Sequence, residues 1–166
     1  MKGKNAQLTL IATATALFVA LAVLLPLAAG CGTNKIRMDE EGKSMTVRQG
    51  GESATLEMPQ TAPSEAELGV PVYPGAVYDA ENSARVNYSS EAGAAYIGTA
   101  RFLADDGLET VQSWYRDRLG APDPNSPGGT SWLIGSPATG DFTVVNLDRT
   151  GGKTRITINR TAATVN

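Results

Sequence analysis

The sequence predicts an α+β domain, an antiparallel sheet with one main amphipathic helix packed on one face. Three observations lead there. Between Met45 and Arg160, several short runs alternate apolar and polar residues with the period of a strand. Gly50-Gly51 and Gly151-Gly152 separate such runs, where tight hairpin turns belong. After the N-terminal region, the best helical spacing of apolar residues is in Asp106 to Leu119.

Taken in order, the chain begins with Lys2 and Lys4, runs apolar from Leu8 through Ala29 with Pro26 inside, and reaches Leu27-Ala28-Ala29-Gly30-Cys31. A charged start, an apolar stretch and small residues at a cleavage point are the features of an export signal. The ending resembles the lipobox of bacterial lipoproteins. That resemblance implies cleavage after residue 30, fatty acylation of the Cys31 sulfur and attachment to a membrane outside the cytoplasm. Two alternatives stay open: the stretch is long enough to remain as a membrane helix, and an ordinary signal peptidase could release a soluble protein. All three place the domain outside the cytoplasm.

Residues 31–44 read as the lipidated cysteine and a polar tether. The acidic run Asp39-Glu40-Glu41 lacks the alternating spacing of a calcium loop and reads as solvated linker. Residues 45–160 form the single predicted domain, with 161–166 as a tail. Its first hairpin puts Met45 and Val47 on the same face as Ala54, Leu56 and Met58, with Thr55 and Glu57 opposite. Pro63 to Leu68 predicts a short helical turn stopped by Gly69. Val70-Pro71-Val72-Tyr73-Pro74-Gly75-Ala76 predicts a rigid corner, because two prolines exclude a central strand.

Arg85–Ser89 and Ala95–Leu103 predict strands; in the second, Tyr96, Gly98, Ala100 and Phe102 share a face. In the helix, Leu108, Val111, Tyr115 and Leu119 make the apolar stripe, and Asp106 with Glu109 suggests a capping box. Asp105 and Asp106 are neighbours whose side chains should diverge. Further strands follow at Ser131–Gly135, Phe142–Leu147 and Thr154–Arg160, with Ile156 and Ile158 facing inward. The corner at Val70–Ala76, the strand ending in an acidic pair at Phe102–Asp106 and the helix Val111–Leu119 resemble small bacterial lipoprotein domains of unknown function. That resemblance implies a fold and a location, and brings no activity with it.

Composition narrows function. Without Lys2 and Lys4, the exported part has twelve Lys and Arg against seventeen Asp and Glu, a net of −5, which argues against a nucleic-acid partner. There is no histidine, and the single cysteine is Cys31. The commonest general base, transition-metal ligand and thiol nucleophile are therefore missing from the domain. Neither a phosphate-binding glycine loop nor a GxSxG or SxxK motif occurs. The expectation is a non-enzyme without cofactor or metal, held at the membrane by lipid on Cys31 and engaging an envelope protein or the cell wall. A second reading is a small-molecule or lipid-binding module lined by Tyr73, Tyr96, Trp114 and Trp132. A carboxylate-dependent hydrolase comes third, since no spacing in the sequence predicts a working acid pair.

Overall fold

A computed structural model describes residues 35–165. Half of these residues lie in strands and 19% in helical turns, so the fold is β-rich with a small helical component. This corrects the predicted α+β class, in which five to seven strands shared the fold with a main helix. The sheet has nine strands: β1 (Lys35–Met38), β2 (Ser44–Gln49), β3 (Glu52–Glu57), β4 (Val77–Tyr78), β5 (Ala84–Ser90), β6 (Gly93–Ala104), β7 (Ser131–Ser136), β8 (Asp141–Thr150) and β9 (Lys153–Val165). Two α-helices accompany them, α1 (Glu65–Leu68) and α2 (Leu108–Leu119).

The excess strands are β1 and the two-residue β4, and β9 runs longer than expected; β1 and the added length of β9 come from segments expected to lie outside the domain. Lys35 to Met38, expected as tether, alternates exposed side chains and pairs with β2 from Lys35↔Arg48 to Met38↔Met45. Thr161 to Val165, expected as tail, continues β9 along β6. Four residues of weak pattern become a strand once a neighbouring edge offers its ladder of hydrogen bonds. The first described strand therefore begins four residues after Cys31.

The strand order is β1-β2-β3-β5-β6-β9-β8-β7, every pair antiparallel, with β4 pairing β6 beyond the end of β5. Both glycine-pair turns are two-residue hairpins: Gln49↔Glu52 closes one and Thr150↔Lys153 the other. Gly50, Gly51, Gly151 and Gly152 all have positive φ, as the twist-matched turn requires. The long central pair β6 and β9 is in register over twelve residues, from Gly93↔Val165 to Ala104↔Thr154.

Residues paired across an antiparallel ladder share a face, and the two halves of this sheet carry their apolar residues on opposite faces. On one face, Ala100, Phe102 and Ala104 of β6 lie beside Ile158, Ile156 and Thr154 of β9, then Val145 and Leu147 of β8 and Trp132 of β7. Leu68 of α1, Val70 and Tyr73 of the corner, and Val111 and Tyr115 of α2 pack there and complete the core. Toward β1 that same face turns polar, with Arg85, Asn87, Thr55, Glu57, Thr46 and Arg37. The apolar residues there lie on the reverse face, in a row running Met38–Met45–Leu56–Val86–Ile97 across five strands.

Local signals behave unevenly. α1 carries a full capping box: Ser64 Oγ accepts from the Glu67 N–H, and Glu67 Oε2 accepts from the Ser64 N–H at 2.8 Å. The box expected at Asp106 and Glu109 does not form. Gly107 is the N-cap of α2, Asp106 Oδ2 accepts the Tyr73 hydroxyl at 2.8 Å, and Glu109 pairs with Arg149. Tertiary partners won both carboxylates from the helix end. The corner turns at Pro74-Gly75, where the Ala76 N–H reaches the Tyr73 carbonyl at 3.1 Å.

Candidate functional site

Cys31 lies outside the described residues. Three of the four aromatic candidates meet. Tyr73 stands edge-on to Trp114 at 5.3 Å between ring centres, Trp114 edge-on to Tyr115 at 4.8 Å, and Tyr115 against Trp132 at 5.7 Å. At these separations the rings occupy the space between them. Trp132 is buried and donates its indole N–H to the Gly120 carbonyl at 2.9 Å, tying β7 to the end of α2. Trp114 is half-buried, with the Arg118 guanidinium carbon 3.9 Å from its ring centre. This group forms the helix edge of the core.

Tyr96 stands apart on the sheet, its ring lying over Gly98; a Cβ at residue 98 would come within 2.4 Å of the Tyr96 hydroxyl. The mid-strand glycine thus answers a side chain from its own strand. Burial raises the Tyr96 phenol pKa.

The concave space lies elsewhere. A cleft of about 400 Å³ opens at the end of β7, β8 and β9, where α1 stops, lined by Gly69, Ile134, Gly135, Ser136, Thr139, Asp141, Thr143 and Arg160. Its geometry follows from the backbone. Gly135 has φ +84°, and a Cβ there would meet the Asp141 carbonyl oxygen at 2.4 Å, so only glycine lets β7 press this closely on β8. Thr143 is buried and donates its hydroxyl to the Leu68 carbonyl at 2.8 Å, fixing the end of α1 over the sheet. Arg160 sits at the floor, its side chain 17% exposed, donating to the Thr161 carbonyl at 3.0 Å and paired with the Asp141 carboxylate.

Chemically this cleft offers one anchored cation. Thr143 is already committed to a carbonyl, and Asp141 is the single carboxylate in the lining. A guanidinium held at a floor suits a carboxylate or phosphate, and its Asp141 partner is 60% exposed, so it can yield to water while a ligand takes its place. A smaller cleft of about 280 Å³ lies between the loop 59–63, Glu67 and Arg85. There Glu67 serves the α1 cap and Arg85 pairs with Glu57 across the sheet.

The neighbouring acids Asp105 and Asp106 have separate partners, Lys153 for the first and the Tyr73 hydroxyl for the second. That hydrogen bond to Asp106 holds the Tyr73 phenol above its usual range. Among the described residues no group of three or more Cys, Asp or Glu could hold a metal ion. Among them, too, no helix is long and apolar enough to cross a membrane.

Sequence reasoning passed over Arg160, Asp141, Thr143 and Gly135. One signal was present: Thr143 and Arg160 occupy inward positions of β8 and β9, in phase with Val145 and Ile158, where an apolar residue is the rule. Two polar residues at facing inward positions mark where a core ends or a site begins.

Compared with protein-family models, curated proteins and solved structures, the chain finds no match in any of the three.

Proposed function

We infer that the chain is an extracytoplasmic lipoprotein, anchored in a membrane through Cys31, whose globular part is a non-enzymatic binding or interaction domain of the cell envelope. The observation that carries this reading is the spacing between anchor and fold. The cysteine that the lipobox resemblance marks for acylation is four residues from the first strand of the sheet. A lipid there holds the whole sheet at the membrane and leaves the domain intact. Radiolabelled palmitate should enter the wild type and not Cys31→Ser, and the mature N-terminus should map to Cys31. Equal incorporation into both proteins, or a mature N-terminus elsewhere, refutes the anchor. Crosslinking in intact cells that recovers no specific envelope partner refutes the interaction role.

A second reading, a small-molecule binder, is favoured by the cleft over Arg160. Here the ligand class is a small carboxylate or phosphate compound, and the aromatic group around Tyr73, Trp114 and Trp132 acts as support. Titration of the full chain with a panel of such anions, followed by Arg160→Gln, tests it. Saturable binding that Arg160→Gln abolishes supports this reading, and binding unaffected by that change removes it.

A further inference from the structure

Among the described residues, no helix lies over the row of apolar side chains on the reverse face of the sheet. α1 and α2 pack on the opposite face. Ile36 and Met38 are each 67% exposed, Ile97 is 40% exposed and Leu56 36%, while Val47, between Ile36 and Ala54 on the same face, is buried. They belong to one surface by register: Met38 is opposite Met45, Met45 opposite Leu56, Leu56 opposite Val86 and Val86 opposite Ile97. The other side of the same strands carries Lys35, Arg37, Thr46, Arg48, Thr55 and Glu57. The β1–β3 ribbon is therefore amphipathic across its thickness, apolar on one side and hydrated on the other.

We propose that this apolar face of β1, β2 and β3 is a membrane-docking surface that lays the sheet on the lipid bilayer holding the chain's own anchor. The proposal rests on the anchored reading above. Its occupant is set by chain length. Ile36 is five residues along the chain from Cys31, so the two Cα atoms are at most about 18 Å apart. If the apolar stretch from Leu8 to Ala29 stays in place as a membrane helix, the distance from the bilayer is of the same order. A surface tied this closely to a bilayer meets lipid at very high effective concentration, ahead of any freely diffusing partner.

Depth follows from the backbone. Among the described residues β1 is an edge strand, and the N–H and C=O groups along its outer side must stay hydrated. Docking is therefore shallow: Ile36, Met38 and Leu56 reach the acyl boundary while the strand backbone stays among the headgroups. Charge contributes little. Lys35, Arg37, Lys43 and Arg48 are countered by Asp39, Glu40, Glu41, Glu52 and Glu57 over residues 35–57, a net of −1. Docking should need no anionic lipid. The result is a fixed orientation, with the helix face and the Arg160 cleft directed away from the bilayer.

The test uses the full chain in its native membranes, loaded with a phospholipid whose acyl chain carries a carbene-generating photoprobe. After illumination, labelled peptides are mapped by mass spectrometry. Labelling concentrated in residues 36–58 is expected. The double variant Ile36→Asp, Met38→Asp should lower it roughly tenfold, because two charges replace two inserted apolar side chains. Both side chains are exposed, so the variant should unfold at the wild-type denaturant concentration, and Leu56→Asp gives an independent second variant. Membrane-bound protein without label in 36–58, or label unchanged in the variants, overturns the docking surface and leaves the anchor standing. Crosslinks from this face to a second copy or to another protein, in place of lipid, overturn it as well. Release of the wild type into the soluble fraction overturns both the docking surface and the anchored reading.

Discussion

Replacing Gly135 with alanine tests the account of how β7 closes the cleft. Two independent costs fall on this one methyl group. Its backbone has φ +84°, where an L-residue loses about 1–2 kcal/mol relative to glycine. The new Cβ would also sit 2.4 Å from the Asp141 carbonyl oxygen and 3.1 Å from the Phe142 Cα. Both are main-chain atoms, so no rotamer change relieves the contact. β7 must lift from β8 at the Gly135↔Phe142 and Ser136↔Asp141 pairs, weakening one or two ladder hydrogen bonds at about 1 kcal/mol each. The expected loss is about 3 kcal/mol, read from equilibrium urea unfolding of wild type and variant. Gly140→Ala is the matched control: φ is +70°, but its Cβ would meet only the Ala163 Cβ, at 3.4 Å, so it carries the backbone cost alone. A Gly135→Ala loss no larger than that of Gly140→Ala would refute the close-approach reasoning.

Other outcomes follow from the same packing. Trp132→Phe should cost roughly 2–3 kcal/mol, since it removes buried volume and strands the Gly120 carbonyl, and thermal unfolding checks this. Tyr115 is fully buried and its hydroxyl makes no well-formed hydrogen bond, with the Tyr73 backbone lying near it, so Tyr115→Phe should change stability by less than about 1 kcal/mol; a larger loss would show that the Tyr73 contact is a full hydrogen bond. Tyr73→Phe should instead be destabilising, by about 1 kcal/mol, because it strips Asp106 of its donor. The Glu67 carboxyl is held below its ordinary value by the Ser64 N–H and hydroxyl. A group with a lowered folded pKa stabilises above its unfolded value and loses that contribution as pH falls through the folded one. The α1 cap should therefore weaken in acid, and carboxyl NMR titration should show Ser64→Ala moving Glu67 back up toward its ordinary value.

The Arg160 cleft also illustrates how a site escapes sequence reading. Gly69, Gly135, Thr143 and Arg160 come from four separate segments, and each has an ordinary local explanation: a helix stop, a strand end, a strand threonine, a surface arginine. They become a site only when β9 lies beside β8 and α1 ends over both. The aromatic candidates went the other way. Tyr73, Trp114 and Trp132 were legible as a group of large side chains, but chain pattern could not say whether they would surround a space or fill it.

What the sequence determined by itself was local: the hairpin turns at paired glycines, the alternation along β2, β3, β6 and β9, the helical turn stopped by Gly69, and the apolar stripe of α2. Each depends on interactions within a few residues, so each leaves a mark in the order of residues. The tertiary structure alone decided that the sheet has nine strands, that Lys35 to Met38 joins it, that Asp106 serves Tyr73 and not a helix cap, and that the two halves carry their apolar residues on opposite faces. A period of two separates the sides of a strand without naming the buried one. That choice belongs to whatever packs against the sheet, here α1 and α2 over β6 to β9, which do not reach the β1 to β3 face.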